Sequence, residues 1–129
     1  MPEKRETETP PPLEVVTLET LPDGPPATVT APQLRGLLWE RVSITRDGAG
    51  MEEAEVRLRR WLGGYRPRAT RGSVELANML LVGWHMTRAA LRRDESRGAH
   101  YRYDFPETVP VWRRRVAVRL AVAHPLTLP

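Results

Sequence analysis

The sequence of 129 residues contains no cysteine, and this absence excludes several kinds of chemistry. Disulfide bonds, iron–sulfur clusters held by thiolates and a cysteine nucleophile all require that side chain. The chain also lacks an apolar run near the ~18 residues that a membrane-spanning helix needs. Its first residues are polar and rich in proline, without the apolar stretch of an export signal, so we expect a cytoplasmic protein.

Lysine is almost as scarce, because Lys4 is the only one among 20 basic residues. The formal net charge of +4 is therefore carried by arginine, whose planar guanidinium group suits carboxylates and phosphates. Arginines cluster at residues 57–60, 92–93 and 113–115. A basic nucleic-acid-binding domain is one interpretation, but it needs such clusters on one face with aromatic side chains for stacking.

The tryptophans argue against that interpretation. Trp39, Trp61 and Trp84 fall within apolar helical patterns, so we expect them in the core. The arginines are then expected in solvent or in ion pairs between domains.

Apolar spacing predicts three helices. The first begins with Thr30 as its N-cap and ends near residues 43–45. The second begins after Gly50 and is stopped by a pair of glycines. The third begins with Ser73 as its N-cap and runs to about Ser96, with Gly98 closing it. Because the third helix is apolar around much of its circumference, we expect it to lie between the other two.

The chain on either side of the helices is predicted to be extended. Prolines exclude regular helix from residues 1–29, which we predict as a flexible leader, although residues 13–18 have the composition of an edge strand. Alternating valines and leucines over residues 116–122 predict a short C-terminal strand, with an arginine-rich amphipathic helix over residues 111–123 as the alternative.

The predicted fold class is therefore mainly α, a three-helix bundle similar to a spectrin repeat. It has an extended N-terminal tail and a short extended or strand segment at the C-terminus. The predicted domains are the leader at residues 1–29, the bundle at 30–108 and the extended C-terminal segment at 109–129.

Catalytic motifs are scarce. Residues 48–50 (Gly-Ala-Gly) precede a helix, but the third glycine of a dinucleotide fingerprint falls on Glu53, whose carboxylate would repel pyrophosphate. Asp94 and Glu95 are adjacent and point in different directions on a helix, so they form no catalytic pair. The three histidines stand far apart and in no metal-binding frame: His85, His100 and His124. We therefore predict no catalytic, cofactor-binding or metal-binding residue in this chain.

The most unusual segment runs from Glu95 to Pro106. It interleaves basic and aromatic side chains just after the third helix, with three aromatics in five residues. A solvated loop rarely has this composition, and such a surface usually meets another surface. We predict that six residues of the segment form an interdomain docking surface: Arg97, His100, Tyr101, Arg102, Tyr103 and Phe105.

This segment also carries a family resemblance. Residues 95–102 (ESRGAHYR) and 104–108 (DFPET) are similar to the ESRGAHYRxDxPET segment of L-aspartate oxidases. The flavoprotein subunits of succinate dehydrogenase and fumarate reductase carry a close relative of it, with a smaller residue where Tyr101 stands.

Two further blocks agree with the same family in order and spacing. Residues 37–47 (LLWERVSITRD) resemble its LMWxxVGIxRD block, and residues 75–80 (ELANML) resemble its ELRNML block. Ser43 replaces the usual glycine, and Ala77 replaces an arginine whose loss would remove an ion pair. The resemblance covers about residues 31 to 108.

The resemblance implies the C-terminal helical domain of an FAD-dependent L-aspartate oxidase. Such enzymes convert L-aspartate to iminoaspartate, with oxygen or fumarate as the electron acceptor, and feed quinolinate and NAD synthesis. FAD and substrate would be held by a flavin-binding domain and a capping domain, and the bundle would pack against the flavin domain. The isolated chain is then expected to be inactive and to bind no cofactor. A free-standing interaction module that binds a separate flavoprotein chain is the alternative.

Overall fold

Three helices form the predicted bundle: α1 (Ala31–Val42), α2 (Gly48–Gly64) and α3 (Arg71–Arg92). In the computed structural model, residues 13–120 are described, with side chains described for residues 20–118. The helices belong to a compact unit that spans Leu21–Trp112. The mainly helical fold class is therefore confirmed.

Capping residues determine where the helices begin. Thr30 caps α1 as predicted, since its hydroxyl accepts the Gln33 N–H while the Gln33 side chain accepts the Thr30 N–H. The α2 helix begins earlier than predicted because the Asp47 carboxylate accepts the N–H of Gly50 at 2.6 Å. The prediction for α3 was also late, because the N-cap is Thr70 and Ser73 lies inside the helix.

The core is built from one face of each helix. Buried apolar side chains come from all three: Leu34, Leu37, Val42, Met51, Ala54, Leu58, Leu76, Leu80, Trp84 and Ala90. Trp61 packs at the edge of this cluster. Trp39 does not, because its side chain is 72% exposed, so its predicted core position was wrong. At 3.6 residues per turn it lies about 200° around α1 from Leu37 and therefore faces outward.

The third helix packs against both other helices, but it is not enclosed by them. Leu76, Leu80 and Trp84 are buried, whereas Val82 and Met86 on its other side are exposed. Helix α1 also contacts α2 directly. The apolar circumference that predicted a central position therefore leaves part of its surface uncovered in this unit.

The strands are short. A parallel pair joins β1 (Leu13–Glu19) to β4 (Arg115–Leu120), with Leu13 opposite Arg115 and a register irregularity between Val15 and Thr17. The predicted C-terminal strand is confirmed over the described residues, and the amphipathic-helix alternative is wrong there. Within the bundle unit, β2 (Thr45–Arg46) pairs in parallel with β3 (Tyr101–Arg102), and a single 3₁₀ turn spans Pro110–Trp112.

The predicted domain boundaries stay predictions, because residues 1–12 and 121–129 lie outside the described residues. Residues 21–30 belong to the same compact unit as the helices. The Ala27 N–H donates to the carbonyl oxygen of Gly64 at 2.9 Å, and Val29 is buried in the core cluster.

We expect Gly64→Ala to lower the free energy of unfolding by about 1–3 kcal/mol. A Cβ at this position would collide with the carbonyl oxygen of Pro25 and lie 2.6 Å from the Cβ of Ala27. Gly36 is the matched control, because it is exposed in α1 with nothing within 4 Å of an added Cβ. Gly36→Ala should raise the free energy by about 0.5–1 kcal/mol through helix propensity. Urea unfolding compares the two, and equal stabilities would contradict the prediction.

Candidate functional site

The predicted docking segment begins beyond α3, because that helix ends at Arg92 and not near Ser96. A tight turn follows, in which Arg97 and His100 exchange backbone hydrogen bonds of 2.8 and 3.0 Å. Gly98 does not close the helix; it lies in this turn with a φ of 56°, a conformation that other residues resist. The chain then enters β3 and runs beside β2, the strand that follows α1.

Arg102 closes the C-terminal end of α3. Its side chain is almost fully buried, and Nη1 donates to the carbonyl oxygens of Leu91 at 3.0 Å and Arg93 at 3.1 Å. The same atom lies 3.0 Å from the carboxylate of Asp94. A cation that binds carbonyls left free at a helix C-terminus also compensates the negative end of the helix dipole.

Asp104 links this arginine to the start of α2. Its two carboxylate oxygens accept from Nε and Nη2 of Arg102 at 3.0 and 2.7 Å, a bidentate ion pair. One of these oxygens also accepts the N–H of Gly48 at 3.0 Å. Burial alone would lower the pKa of Arg102, but the bonds to Asp104 and Asp94 raise it. The hydrogen bond from Arg102 is the main reason that the pKa of Asp104 is lowered.

Arg46 closes α1 in a similar way. Its Nε donates to the carbonyl oxygens of Val42 at 3.2 Å and Ser43 at 2.9 Å. Its Nη1 lies 2.9 Å from Nδ1 of His100, whose Nε2 lies 3.2 Å from the carbonyl oxygen of Arg93. Burial lowers the pKa of Arg46. The segment after α3 is therefore tied to the end of α1 as well as to the start of α2.

Glu95 is the residue that sequence reasoning missed. Its side chain is 0% exposed and accepts from the guanidinium groups of Arg93 at 2.7 Å and Arg97 at 2.8 Å, and from the Val109 N–H at 2.9 Å. Burial alone would raise the pKa of Glu95, but these hydrogen bonds outweigh it and lower the pKa to about 2. The sequence signal was present, because arginines stand two positions before and two positions after Glu95.

Ser96 was also missed, although it holds the loop closed. Its hydroxyl accepts the Arg102 N–H at 2.9 Å and donates to the carbonyl oxygen of Phe105 at 2.8 Å. Its backbone carbonyl accepts the Thr108 hydroxyl at 2.6 Å. We refer to the network formed by Glu95, Ser96, Arg102 and Asp104 as the helix clip.

The structure brings the six predicted docking residues together and divides them into two groups. Arg97, His100 and Arg102 point into the clip region, where each has polar partners. Tyr101, Tyr103 and Phe105 are exposed at 39%, 64% and 41%. The two tyrosine rings meet edge to face at 5.3 Å, and the Phe105 ring lies 4.7 Å from the Arg102 guanidinium carbon. We call these three exposed side chains the aromatic edge.

The described part of the chain has little else that resembles a reaction centre. Between residues 13 and 120, His, Asp and Glu form no cluster of three able to hold a metal ion. Over the same residues, no helix combines the length and apolarity needed to cross a membrane. The charged groups of the helix clip satisfy one another, so the clip has the properties of a structural element.

Comparisons with known proteins agree on one family. The family described as fumarate reductase flavoprotein C-term matches residues 68–121. A subunit of the fumarate reductase (CoM/CoB) of Methanothermobacter marburgensis is 37% identical over 95 residues, which cover 65% of this chain and 17% of that protein. The L-aspartate oxidase of Pseudomonas aeruginosa is 33% identical over 91 residues, which cover 67% of this chain and 17% of that protein.

A solved structure supports the same relationship. Mycobacterium smegmatis Sdh1 in complex with UQ1 superposes with a TM-score of 0.51 at 34% sequence identity. The superposition covers 72% of this chain and 18% of that chain. The chain therefore spans less than a fifth of each of these three proteins.

Proposed function

Because this chain belongs to the family of flavoprotein C-terminal domains shared by fumarate reductases and L-aspartate oxidases, we propose that it is the structural C-terminal domain of an FAD-dependent L-aspartate oxidase. Its role is to pack against the flavin-binding and capping domains. FAD and substrate belong to those domains, and this chain contributes no catalytic residue. The intact cytoplasmic enzyme would supply iminoaspartate for quinolinate and NAD synthesis.

One observation carries this proposal: the clip charges are used internally, whereas the aromatic edge faces outward. Glu95 and Arg102 are both buried among partners, so neither is available to move a proton for a substrate. Exposed tyrosine and phenylalanine rings are typical of protein interfaces. The partner that we propose for the edge is the flavin-binding part of the enzyme, because the chain spans only 17% of its full-length relatives.

Tyr101 favours L-aspartate oxidase within the family. Its position in the segment resembles that enzyme, whereas the flavoprotein subunits of succinate dehydrogenase and fumarate reductase have a smaller residue there. The Tyr101 ring is partly exposed and in contact with the Tyr103 ring. A larger ring at this position adds apolar area to the proposed interface.

A complementation experiment tests the proposal. The Pseudomonas aeruginosa L-aspartate oxidase is truncated before the region that matches this chain, and this chain is then added or fused. We expect the combination to retain FAD and to form peroxide from L-aspartate, and this chain alone to do neither. Activity of the isolated chain would contradict the structural role. Better complementation of the Methanothermobacter marburgensis fumarate reductase protein, truncated in the same way, would replace the assignment to L-aspartate oxidase.

We expect Tyr103→Ala, combined with Phe105→Ala, to weaken association with the truncated oxidase by at least about tenfold. The unfolding free energy of this chain should change by no more than about 0.5 kcal/mol, because both side chains are exposed. Val56→Ala is the control, since Val56 is an exposed apolar residue on α2. Titration calorimetry measures the association, and equal affinities for both variants would contradict the role of the edge.

The alternative of a free-standing interaction module predicts the same loss of binding. The two possibilities differ in the native organism. A single polypeptide that contains both the flavin-binding part and these residues supports a domain of one enzyme. Recovery of this chain as a separate polypeptide bound to a flavoprotein supports the module.

A further inference from the structure

His100 connects β2 to the segment that follows α3. A guanidinium group only donates hydrogen bonds, and a carbonyl oxygen only accepts them. The contact of Nδ1 with Arg46 at 2.9 Å therefore requires Nδ1 to be an acceptor, and the contact of Nε2 with the Arg93 carbonyl at 3.2 Å requires Nε2 to carry the proton. This arrangement fits only the neutral imidazole.

Positive charge faces His100 from each neighbouring segment. Arg46 belongs to β2, Arg93 directly follows α3, and Arg102 belongs to β3. Burial is the largest influence that lowers the pKa of His100, and these three cations lower it further. The hydrogen bond to the Arg93 carbonyl acts in the opposite direction without reversing the shift.

The nearby carboxylates do not balance that charge at the imidazole. Asp94 and Asp104 both bind Arg102. Glu95 binds the arginines on either side of it. Each acidic group in the clip region is therefore engaged with a guanidinium group, and the histidine is left among the cations.

We propose that protonation of His100 loosens the aromatic edge, so that this histidine is an acid-sensitive switch on the docking surface. A proton on Nδ1 would place two donors and two positive charges face to face across the contact with Arg46. The Arg46 side chain must then move away from the ring. The proposal rests on the docking function of the edge, but the switch itself lies entirely within this chain.

The backbone carries the movement from Arg46 to the edge. The carbonyl oxygen of Arg46 accepts the N–H of Tyr103 at 2.8 Å, and Thr45–Arg46 pairs with Tyr101–Arg102. Both tyrosines of the edge are therefore attached to the strand that the Arg46 side chain holds. A strand pair of two residues each has few hydrogen bonds of its own, so loss of one side-chain contact should be visible there.

Amide hydrogen exchange of the whole chain tests the switch. The protection factor of the Tyr103 amide, corrected for intrinsic exchange, is followed from about pH 8 to about pH 5. We expect it to fall by at least about tenfold, with the transition below the ordinary histidine pKa of 6.5. The Ala27 amide, bonded to Gly64 and not to the clip, should keep its protection and serves as the internal reference.

Two variants separate His100 from other acid effects. His100→Asn offers an oxygen acceptor near the Nδ1 position but does not titrate, so the Tyr103 transition should disappear. His85→Gln is the matched control, because His85 lies on α3 beside Trp84 and should leave the transition unchanged. A transition that persists in His100→Asn, or constant Tyr103 protection in the unmodified chain, would overturn the proposal.

A further measurement covers the case in which His100→Asn fails to fold. Nuclear magnetic resonance then titrates the His100 ring in the unmodified chain, and its midpoint must coincide with that of Tyr103 protection. Separate midpoints overturn the switch. None of these measurements needs a docking partner, so an intact switch in a chain that fails to bind the truncated oxidase would reject only the proposed function.

Discussion

Glu95→Gln is expected to lower the free energy of unfolding by about 3–5 kcal/mol. The substitution keeps the shape of the side chain but removes a buried charge that three donors share. Two guanidinium groups, from Arg93 and Arg97, then lose their carboxylate, and the new amide group places hydrogens where a donor already stands. Urea unfolding followed by circular dichroism measures the loss.

The matched control is Glu75→Gln on α3. Glu75 forms an ion pair with Arg71 four residues earlier, and both side chains are mainly exposed. An exposed pair of this kind contributes at most about 0.5 kcal/mol. If both variants unfolded at the same urea concentration, Glu95 would not have the structural role that its burial indicates.

Acid adds a second signature to the Glu95 variant. The pKa of Glu95 is about 2 in the folded chain and near its ordinary value of 4.5 when unfolded. The stabilisation from its charge is therefore fully present above about pH 4.5 and is lost as the pH falls towards 2. Glu95→Gln should remove this part of the pH dependence, so the gap in stability between the two chains should narrow as acid is added.

The helices could be predicted because their signals are local. The 3.6-residue spacing of apolar side chains and the Thr30 cap gave α1 its correct start. Trp39 shows the limit of that reasoning, since an apolar residue beside a buried face need not belong to it. The end of α3 was misplaced for a different reason. The α3 carbonyls are bound by Arg102, which lies ten residues beyond the last helical residue, so no local pattern marks the end.

The candidate site was predictable as a segment but not as an arrangement. Its composition separated it from ordinary loops, and the six chosen residues do lie together. Which of them turn inward could not be predicted, because their partners come from another part of the chain. Arg46 and Gly48 lie about fifty positions before His100 and Asp104, which they contact. Only the folded bundle brings those positions together.

This arrangement also explains why two of the blocks that carry the family resemblance are informative together. The block at residues 37–47 ends on Arg46 and Asp47, which close α1 and cap α2. The block at residues 95–108 contains the groups that meet this corner. Sequence similarity in the two blocks therefore reflects one structural unit, which fixes the ends of three helices.

Arg102→Ala is the second change with a large expected effect, a loss of about 3–5 kcal/mol in unfolding free energy. It removes the donors for two α3 carbonyls and leaves the carboxylates of Asp94 and Asp104 without their main partner. Arg102→Lys should recover only part of this loss, because an ammonium group cannot reproduce the bidentate pair with Asp104.

The control for Arg102 is Arg71→Ala, which removes an arginine from an exposed ion pair and should cost at most about 0.5 kcal/mol. In the complemented oxidase, Arg102→Ala should reduce FAD retention and activity together, because a poorly folded domain cannot hold the flavin part. A variant that folds normally and retains FAD but has lost turnover would instead assign Arg102 to the reaction. Since its guanidinium group is enclosed by α3 carbonyls and two carboxylates, we expect folding and activity to fall together.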